Sequence, residues 1–111
     1  MTWENFDKGQ LIGTRGSEQG IILRDEEHSD GARITLERDG YSAPFSITSG
    51  IYGWIVHTSF FSTQQDAQTA FEEMKAELSE ILHAIPNEND PDLKCKQEKL
   101  SEKMSDFVIR H

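Results

Sequence analysis

The sequence has a single cysteine, Cys95, and no apolar run near the roughly 20 residues that a membrane helix requires. One cysteine excludes an internal disulfide and a cysteine-based metal site. The N-terminal residues 1–10 include the acidic Glu4 and Asp7, whereas a secretory signal would begin with basic residues followed by an apolar stretch. We therefore expect a cytoplasmic protein without a membrane segment.

Basic residues are scarce, because 11 Lys and Arg stand against 20 Asp and Glu and give a net charge of -9. Such a charge opposes contact with a phosphate backbone, so nucleic acid is not an expected partner. The negative charge is concentrated between residues 62 and 92, where acidic side chains greatly outnumber a lone lysine. A basic protein is the partner that this distribution favours.

Glycine-containing pairs divide the region 10–61 into four to five strands of an antiparallel β-meander. A two-residue turn at 39–40 and a second at 49–50 each bring apolar residues together on one face of the sheet. Both turns predict the same buried face, and with it a register. Pro44 lacks an N–H group, so we expect a bulge or a gap in the pairing there.

The same register assigns the aromatic side chains of the last strand to the core. It places Tyr52, Trp54 and Phe60 on the inner face, where aromatic residues dominate packing. The segment before the meander is less regular, and an edge strand is predicted at 10–15. Trp3 precedes any clear element, so its burial requires the N-terminus to fold back or to meet another subunit.

After the strands the apolar period changes from two to about 3.6, which predicts an amphipathic helix at about 64–85. Its apolar stripe is expected to pack on the inner face of the sheet. Residues 86–90 form a polar connector to a second amphipathic helix at about 91–109. The prediction is one α+β domain over residues 1–111, in which the second helix contacts either the first helix or a second subunit.

The outer face of the predicted sheet brings Glu37, Ser42 and His57 side by side, a weak arrangement for acid–base or nucleophilic chemistry. No motif supplies an oxyanion hole or a nucleophile on a strained turn, and none indicates a cofactor. Ligand binding suits this face better than catalysis. The candidate ligand-binding residues are Arg33, Ser42, Ile55 and His57.

The polar segment 25–31 groups carboxylates with one imidazole. Its weak candidates for a divalent cation are Asp25, Glu27, His28 and Asp30. The alternation and spacing of a calcium loop are absent, however. We therefore expect a hydrated hairpin loop here and no metal.

The first predicted helix has an acidic face that continues into the connector. The expected contact residues for a basic protein are Glu72, Glu73, Glu77, Glu80, Glu88, Asp90 and Asp92. Size, acidity and location would suit a bacterial protein that neutralises a basic toxin or nuclease, as immunity proteins and antitoxins do. This is an analogy of properties without a shared motif. A non-enzymatic interaction domain is the leading functional hypothesis.

Two alternatives stay open. The first is a small-ligand binder or minor enzyme that uses the outer sheet face around Ser42, Ile55 and His57. The second is a homo-oligomeric accessory subunit, joined through the narrow apolar seam of the second helix or the aromatic residues near Trp3. Composition is equally compatible with a monomer and a homodimer.

Overall fold

The computed structural model describes residues 3–87 and 89–111, in which five strands are followed by two helices. The strands form one antiparallel sheet in chain order. Their bounds are β1 Trp3–Asn5, β2 Ile21–His28, β3 Ala32–Arg38, β4 Phe45–Ile51 and β5 Ile55–Phe61, and the helices are α1 Gln64–Ala84 and α2 Leu93–Arg110. The predicted α+β class is confirmed, with an antiparallel meander, two helices after it and the first helix packed on one sheet face.

The hairpin between β3 and β4 is longer than the predicted two-residue turn. Arg38 pairs with Phe45, so residues 39–44 form the connecting loop. Pro44 ends this loop, where its missing N–H costs no ladder bond, and its carbonyl accepts a hydrogen bond from the Asp39 N–H at 2.8 Å. The predicted register between β3 and β4 is wrong, but it differs from the observed register by an even number of residues. The buried face of both strands is therefore the predicted one.

The turn between β4 and β5 lies at 52–54 and not at the predicted 49–50. Gly53 provides the left-handed backbone of this turn, with φ of 80°. Gly50 lies inside β4 for a different reason, because a Cβ there would come within 2.5 Å of the Ile55 carbonyl oxygen. The sequence offers two glycines, and only the close packing of the strands shows which one turns the chain.

This second slip is by an odd number of residues, so every side chain of β5 lies on the face opposite to the predicted one. Tyr52, Trp54 and Phe60, predicted to lie in the core, are exposed. His57, predicted to lie on the outer face, is on the inner face beside the helices, where its ring meets that of Phe107 edge-on. The predictions for these four residues are wrong because they depended on the wrong turn.

The N-terminal part of the chain also differs from expectation. The edge strand is β1, whereas the predicted segment 10–15 is a series of turns. β2 extends through residues 25–28, which were predicted to be loop, and 29–31 make the turn to β3. Residues 6–20 cross the outer face of the sheet and return to the start of β2. This crossing segment creates the site described below.

Helix α1 covers the inner face of the sheet as predicted. The Thr63 hydroxyl caps its first turn by accepting from the Asp66 N–H at 3.2 Å, and the helix stops just before Pro86. Its buried residues are Ala67, Ala70, Phe71, Met74, Leu78, Ile81 and Leu82. They pack against the apolar side chains of β3 and β4 in one core.

Helix α2 returns onto α1 and the inner face near β5. It begins at Leu93, two positions after the predicted start, because Asp90 first forms a turn by accepting from the Asp92 N–H at 2.8 Å. Its residues in the common core are Leu100, Met104 and Phe107. Within the described ranges, neither helix combines the length and apolar character that crossing a bilayer needs.

Candidate functional site

A cavity of about 730 Å³ lies on the outer face of the sheet, between the crossing segment and the strands. We call it the outer cavity. Its walls are the crossing-segment residues Leu11, Thr14, Arg15, Gly16 and Ser17, the strand residues Ile22, Arg33, Thr35, Thr48, Ser49, Gly50, Ile51, Ile55 and Val56, and the turn residues Tyr52, Gly53 and Trp54. The volume falls within the range of small-molecule sites.

An ion pair lies at the floor of the cavity, where Arg33 lines the cavity and its partner Asp25 lies beneath it. Asp25 is fully buried, and its carboxylate accepts from Arg33 Nε at 3.0 Å and Nη2 at 2.8 Å. The Thr35 hydroxyl donates to the same carboxylate at 3.0 Å. These bonds raise the pKa of the Arg33 guanidinium, with the hydrogen bond to Asp25 as the largest cause. The buried carboxylate of Asp25 thus accepts three hydrogen bonds, which offset the cost of burying its charge.

Phe6 covers one side of the Arg33 guanidinium. The ring centroid lies 3.6 Å from Arg33 Cζ, which is a cation–π contact. Arg33 is thereby fixed in orientation from two sides, by the Asp25 carboxylate in its plane and by a ring over its face. Among the described residues, no acceptor is bonded to Arg33 Nη1, and the side chain is one-third exposed.

The crossing segment is held down by a second buried carboxylate. Glu37 is 1% exposed, and its Oε1 accepts from the Gly20 N–H at 3.0 Å and the Glu18 N–H at 3.2 Å. Gly16 lies directly over this carboxylate, since a Cβ at that position would meet Glu37 Cδ at 2.5 Å. The glycine and the carboxylate together set how closely the segment approaches the sheet.

The rim near the β4–β5 turn is held by a hydrogen bond from Tyr52 to β2. The Tyr52 hydroxyl donates to Glu27 Oε2 at 2.6 Å. Burial and this hydrogen bond raise the pKa of Tyr52 to about 12. The phenol therefore stays neutral and keeps donating at physiological pH.

The structure brings together two of the four predicted ligand-binding residues. Arg33 lines the outer cavity from the outer face. Ile55 borders the cavity at the start of β5, but its side chain lies on the inner face against the core and not on the predicted outer face, because that prediction depended on the same wrong turn. Ser42 is exposed in the loop between β3 and β4, and His57 lies on the inner face. The predicted row of Glu37, Ser42 and His57 does not form, because Glu37 pairs with Ser46 and His57 belongs to the other face.

The inner face has a small polar patch of its own around His57. His57 pairs across the strands with Ser49, and both His57 Nε2 and Ser49 Oγ are buried without a hydrogen-bond partner. They lie between the sheet and the helices, so they give no accessible reaction site.

The candidate metal ligands diverge because the segment is a strand and not a loop. Asp25 and Glu27 are on the outer face, engaged by Arg33 and Tyr52, whereas His28 is on the inner face. Burial lowers the pKa of His28, although Asp30 opposes this effect. Across the described ranges, no group of three or more His, Cys, Asp or Glu side chains is placed to hold a metal ion.

The predicted acidic contact surface is partly neutralised within the protein. Glu72 pairs with Arg24 at 2.8 Å and Glu77 pairs with Arg110 at 2.5 Å. The short ion pair from Lys96 to Asp90 lowers the pKa of that carboxyl. Exposed residues of the set without an ion pair among the described residues are Glu73, Glu80 and Asp92. Glu88 lies outside the described residues.

The ion pair of Asp25 and Arg33 is the main feature that sequence reasoning missed. Its two members lie eight residues apart, on adjacent strands joined by a short turn. An opposite-charge pair at such a spacing around Gly31 could have indicated a hairpin with both residues on one face. The run of charged residues at 24–27 is atypical of a strand, so the sequence pattern favours a loop there.

Comparison of the chain with protein-family models, with curated proteins and with solved structures gives no match.

Proposed function

We propose that this protein binds a small organic molecule in the outer cavity, and that binding involves no catalytic step. The observation that carries the proposal is the charge of the cavity wall. It contains two arginines, Arg15 and Arg33, and no acidic side chain, although acidic residues dominate the chain as a whole. Asp25 balances the charge of Arg33 from below, so the wall and this ion-pair partner together carry one net positive charge, that of Arg15. A concave site that is weakly positive in a strongly negative protein favours an anionic ligand group.

The wall also indicates what the rest of the ligand is like. The lining includes the apolar residues Leu11 in the crossing segment and Trp54 and Val56 at the start of β5, and apart from Arg33 its strand residues are uncharged. Flat hydrophobic groups bind well against such surfaces. The ligand class we propose is an aromatic or aliphatic molecule with one carboxylate or similar anion.

Arg33 is the group that we propose meets the anion. Its bonds to Asp25 use Nε and Nη2, which leaves Nη1 to donate towards the cavity. Because Asp25 and Phe6 already fix the guanidinium, the arginine loses little conformational freedom when a ligand binds. A preorganised donor of this kind binds more tightly than a mobile surface arginine would.

Binding can be tested with three naphthalene derivatives of similar size: naphthoate, naphthamide and naphthylmethylammonium. In a Trp3→Phe background, Trp54 is the remaining tryptophan, and its fluorescence reports on the cavity wall. We expect naphthoate to bind more tightly than the neutral amide, and the cation to bind least. Equal binding of all three would contradict the proposed anion preference.

The matched variants Thr48→Glu and Thr48→Gln distinguish the effect of an added charge on binding from the effect of a larger side chain. Both place a side chain of the same size on the cavity floor, and Thr48→Glu alone adds a negative charge. We expect Thr48→Glu to weaken naphthoate binding about tenfold more than Thr48→Gln does. Equal effects of the two variants, or unchanged binding in both, would place the ligand elsewhere.

Contact with a basic protein, as in immunity proteins, is a second proposal, and Glu73 and Glu80 support it. They are exposed on α1 without an internal ion pair among the described residues, unlike Glu72. Binding of an oligolysine peptide should weaken as salt rises and should weaken further in the double variant Glu73→Gln, Glu80→Gln. An affinity for oligolysine that does not change with salt would contradict this second proposal. The control is Glu72→Gln, because Glu72 is already paired with Arg24 and its loss should weaken binding less.

A cytoplasmic location is proposed on the strength of Cys95, which is an exposed free thiol. Such a thiol persists in a reducing compartment and is prone to oxidation or mispairing elsewhere. Fractionation of cells that express the full chain with a C-terminal epitope would test this, and recovery from a secretory fraction would contradict it.

A further inference from the structure

Strand β5 is an outer edge of the sheet, and no further strand of the described ranges pairs with it. It pairs with β4 on one side, and its other side has no backbone partner among the described residues. Proteins usually protect such an edge with charges, proline, bulges or short length. β5 runs from Ile55 to Phe61 without a proline or a charged residue, and its register with β4 is continuous. The opposite edge, β1, has only three residues and carries Glu4.

The surroundings of the β5 edge are free of charge as well. Residues 40–65 contain no Asp, Glu, Lys or Arg, although charged residues make up 28% of the chain. Depletion of charge is typical of the centres of protein interfaces. Two copies that each carry a net charge of -9 repel one another over most of their surfaces. The β5 edge is the region where a second copy meets the least repulsion.

Exposed apolar side chains flank this edge on both faces. Val56 is 81% exposed and Phe60 is 50% exposed, both on the outer side of β5. On the helix side, Ile109 of α2 is 82% exposed and lines a shallow groove against Trp54 and Ile55. Large apolar side chains clustered on both sides of an unpaired edge are characteristic of a surface that becomes covered.

The polarity of β5 is symmetric about its central residue, Thr58. If two β5 strands pair antiparallel with Thr58 opposite Thr58, then Val56 faces Phe60 and His57 faces Ser59. The ends of the strand, Ile55 and Phe61, face each other in the same way. Every apolar residue thus meets an apolar residue, and every polar residue meets a polar one.

From this symmetry we propose that the protein is a homodimer in which β5 pairs with β5 of a second copy, about a twofold axis at Thr58. The two sheets become one continuous sheet, and the helices α2 of both copies lie on the same side of it. Such an interface is isologous, because one surface serves both partners. Backbone hydrogen bonds supply the pairing, and the side-chain order sets the register.

The test uses two single variants with opposite charges, Val56→Lys and Phe60→Glu, and measures mass by sedimentation and light scattering. The full wild-type chain should be a dimer that strengthens as salt screens its repulsion. Each variant should dissociate at least about tenfold more readily, because lysine or glutamate then faces an apolar residue across the axis. Circular dichroism checks that both variants fold.

Mixing the two variants is the decisive step. In a mixed dimer, Lys at position 56 of one copy meets Glu at position 60 of the other, and the second site keeps the natural pair. Dimer should therefore reappear in the mixture, as a heterodimer identifiable by native mass spectrometry. Tyr41→Lys, which adds the same charge at a residue 90% exposed outside β5, is the control and should leave the dimer intact.

Three results would overturn the dimer proposal. They are a wild-type chain that stays monomeric at sub-millimolar concentrations, a dimer that tolerates Val56→Lys, and a mixture that fails to recover. The dimer proposal and the ligand proposal share Val56, which lines the outer cavity, so Phe60→Glu is the variant that separates them. Phe60 does not line the outer cavity, so naphthoate titration of Phe60→Glu reports on the ligand site alone.

Discussion

The two faces of the sheet are closed in different ways. On the inner face, the fully buried side chains of Ile34, Leu36 and Ile47 pack against the apolar stripes of both helices. On the outer face, the buried groups are the carboxylates of Asp25 and Glu37, each held by hydrogen bonds. Apolar contacts are non-directional and fill space. Polar contacts fix the chain at a few points and leave room between them, and here the room is the outer cavity.

The largest expected effect is on the inner face, from Phe71→Ala. Phe71 is fully buried in the core, so the change removes a large apolar side chain and leaves a cavity. Such substitutions cost about 3 to 5 kcal/mol of unfolding free energy. Urea denaturation followed by circular dichroism measures it, with Tyr41→Ala, at an exposed position, as the control. A loss below about 1 kcal/mol would mean that α1 is not part of a tightly packed core.

The next effect is on the outer face, from Arg33→Met. The variant leaves the Asp25 carboxylate buried without its cation, and we expect a loss of about 3 kcal/mol. The double variant Asp25→Asn, Arg33→Met removes the unpaired charge and should recover a large part of that loss. Denaturation of the three proteins gives a double-mutant cycle. Additive losses would show that the two side chains do not interact.

A smaller and more local effect is expected from Glu37→Gln. The amide keeps an acceptor oxygen but loses the charge that strengthens the bonds to the Gly20 and Glu18 N–H groups. We expect a loss of about 1 to 2 kcal/mol. Hydrogen exchange at those two amides should quicken more than exchange in α1. Uniform quickening across the protein would show that Glu37 supports the whole fold and not the crossing segment in particular.

The inner face was predictable from the sequence to a useful extent. The period of the apolar residues between 64 and 85 identified α1, and the alternation in β3 identified its buried face. Both signals depend on apolar residues that recur at a regular spacing along the chain. This spacing identifies the element and its buried face even when the pairing between strands is predicted wrongly. The turn at Gly53 was missed because the choice between two glycines depends on how closely β4 approaches β5, and that is a tertiary property.

The outer face was predictable only in fragments. Arg33 and Ile55 were identified as ligand-binding candidates, but the segment that roofs the cavity was read as an edge strand and turns. Its path is set by single contacts, from Glu37 to Gly20 and from Phe6 to Arg33, which join residues far apart in the chain. Such contacts produce no periodic pattern in the sequence. Sequence patterns therefore identify which face of the sheet is apolar, but they do not identify the segment that crosses its polar face.

The smallest expected effect is a pH dependence that arises from His28, a buried polar residue on the inner face. Burial lowers the pKa of His28 below its ordinary value of 6.5, so the folded protein favours the neutral imidazole. The neutral ring contributes its full stability above pH 6.5 and loses it as the pH falls below that value. In His28→Gln this contribution is absent.

The measurement is the difference in unfolding free energy between wild type and His28→Gln, taken from neutral to mildly acidic pH. The two proteins differ only at position 28, so the pH dependence of the difference reports on that side chain. The difference should shift in favour of the variant as the medium becomes acidic. A difference that stays constant would mean that the ring is as well solvated as in the unfolded chain. The inner face near β1 would then be open to water. The contrast between an apolar inner face and a polar outer face would in that case not extend to the N-terminal edge of the sheet.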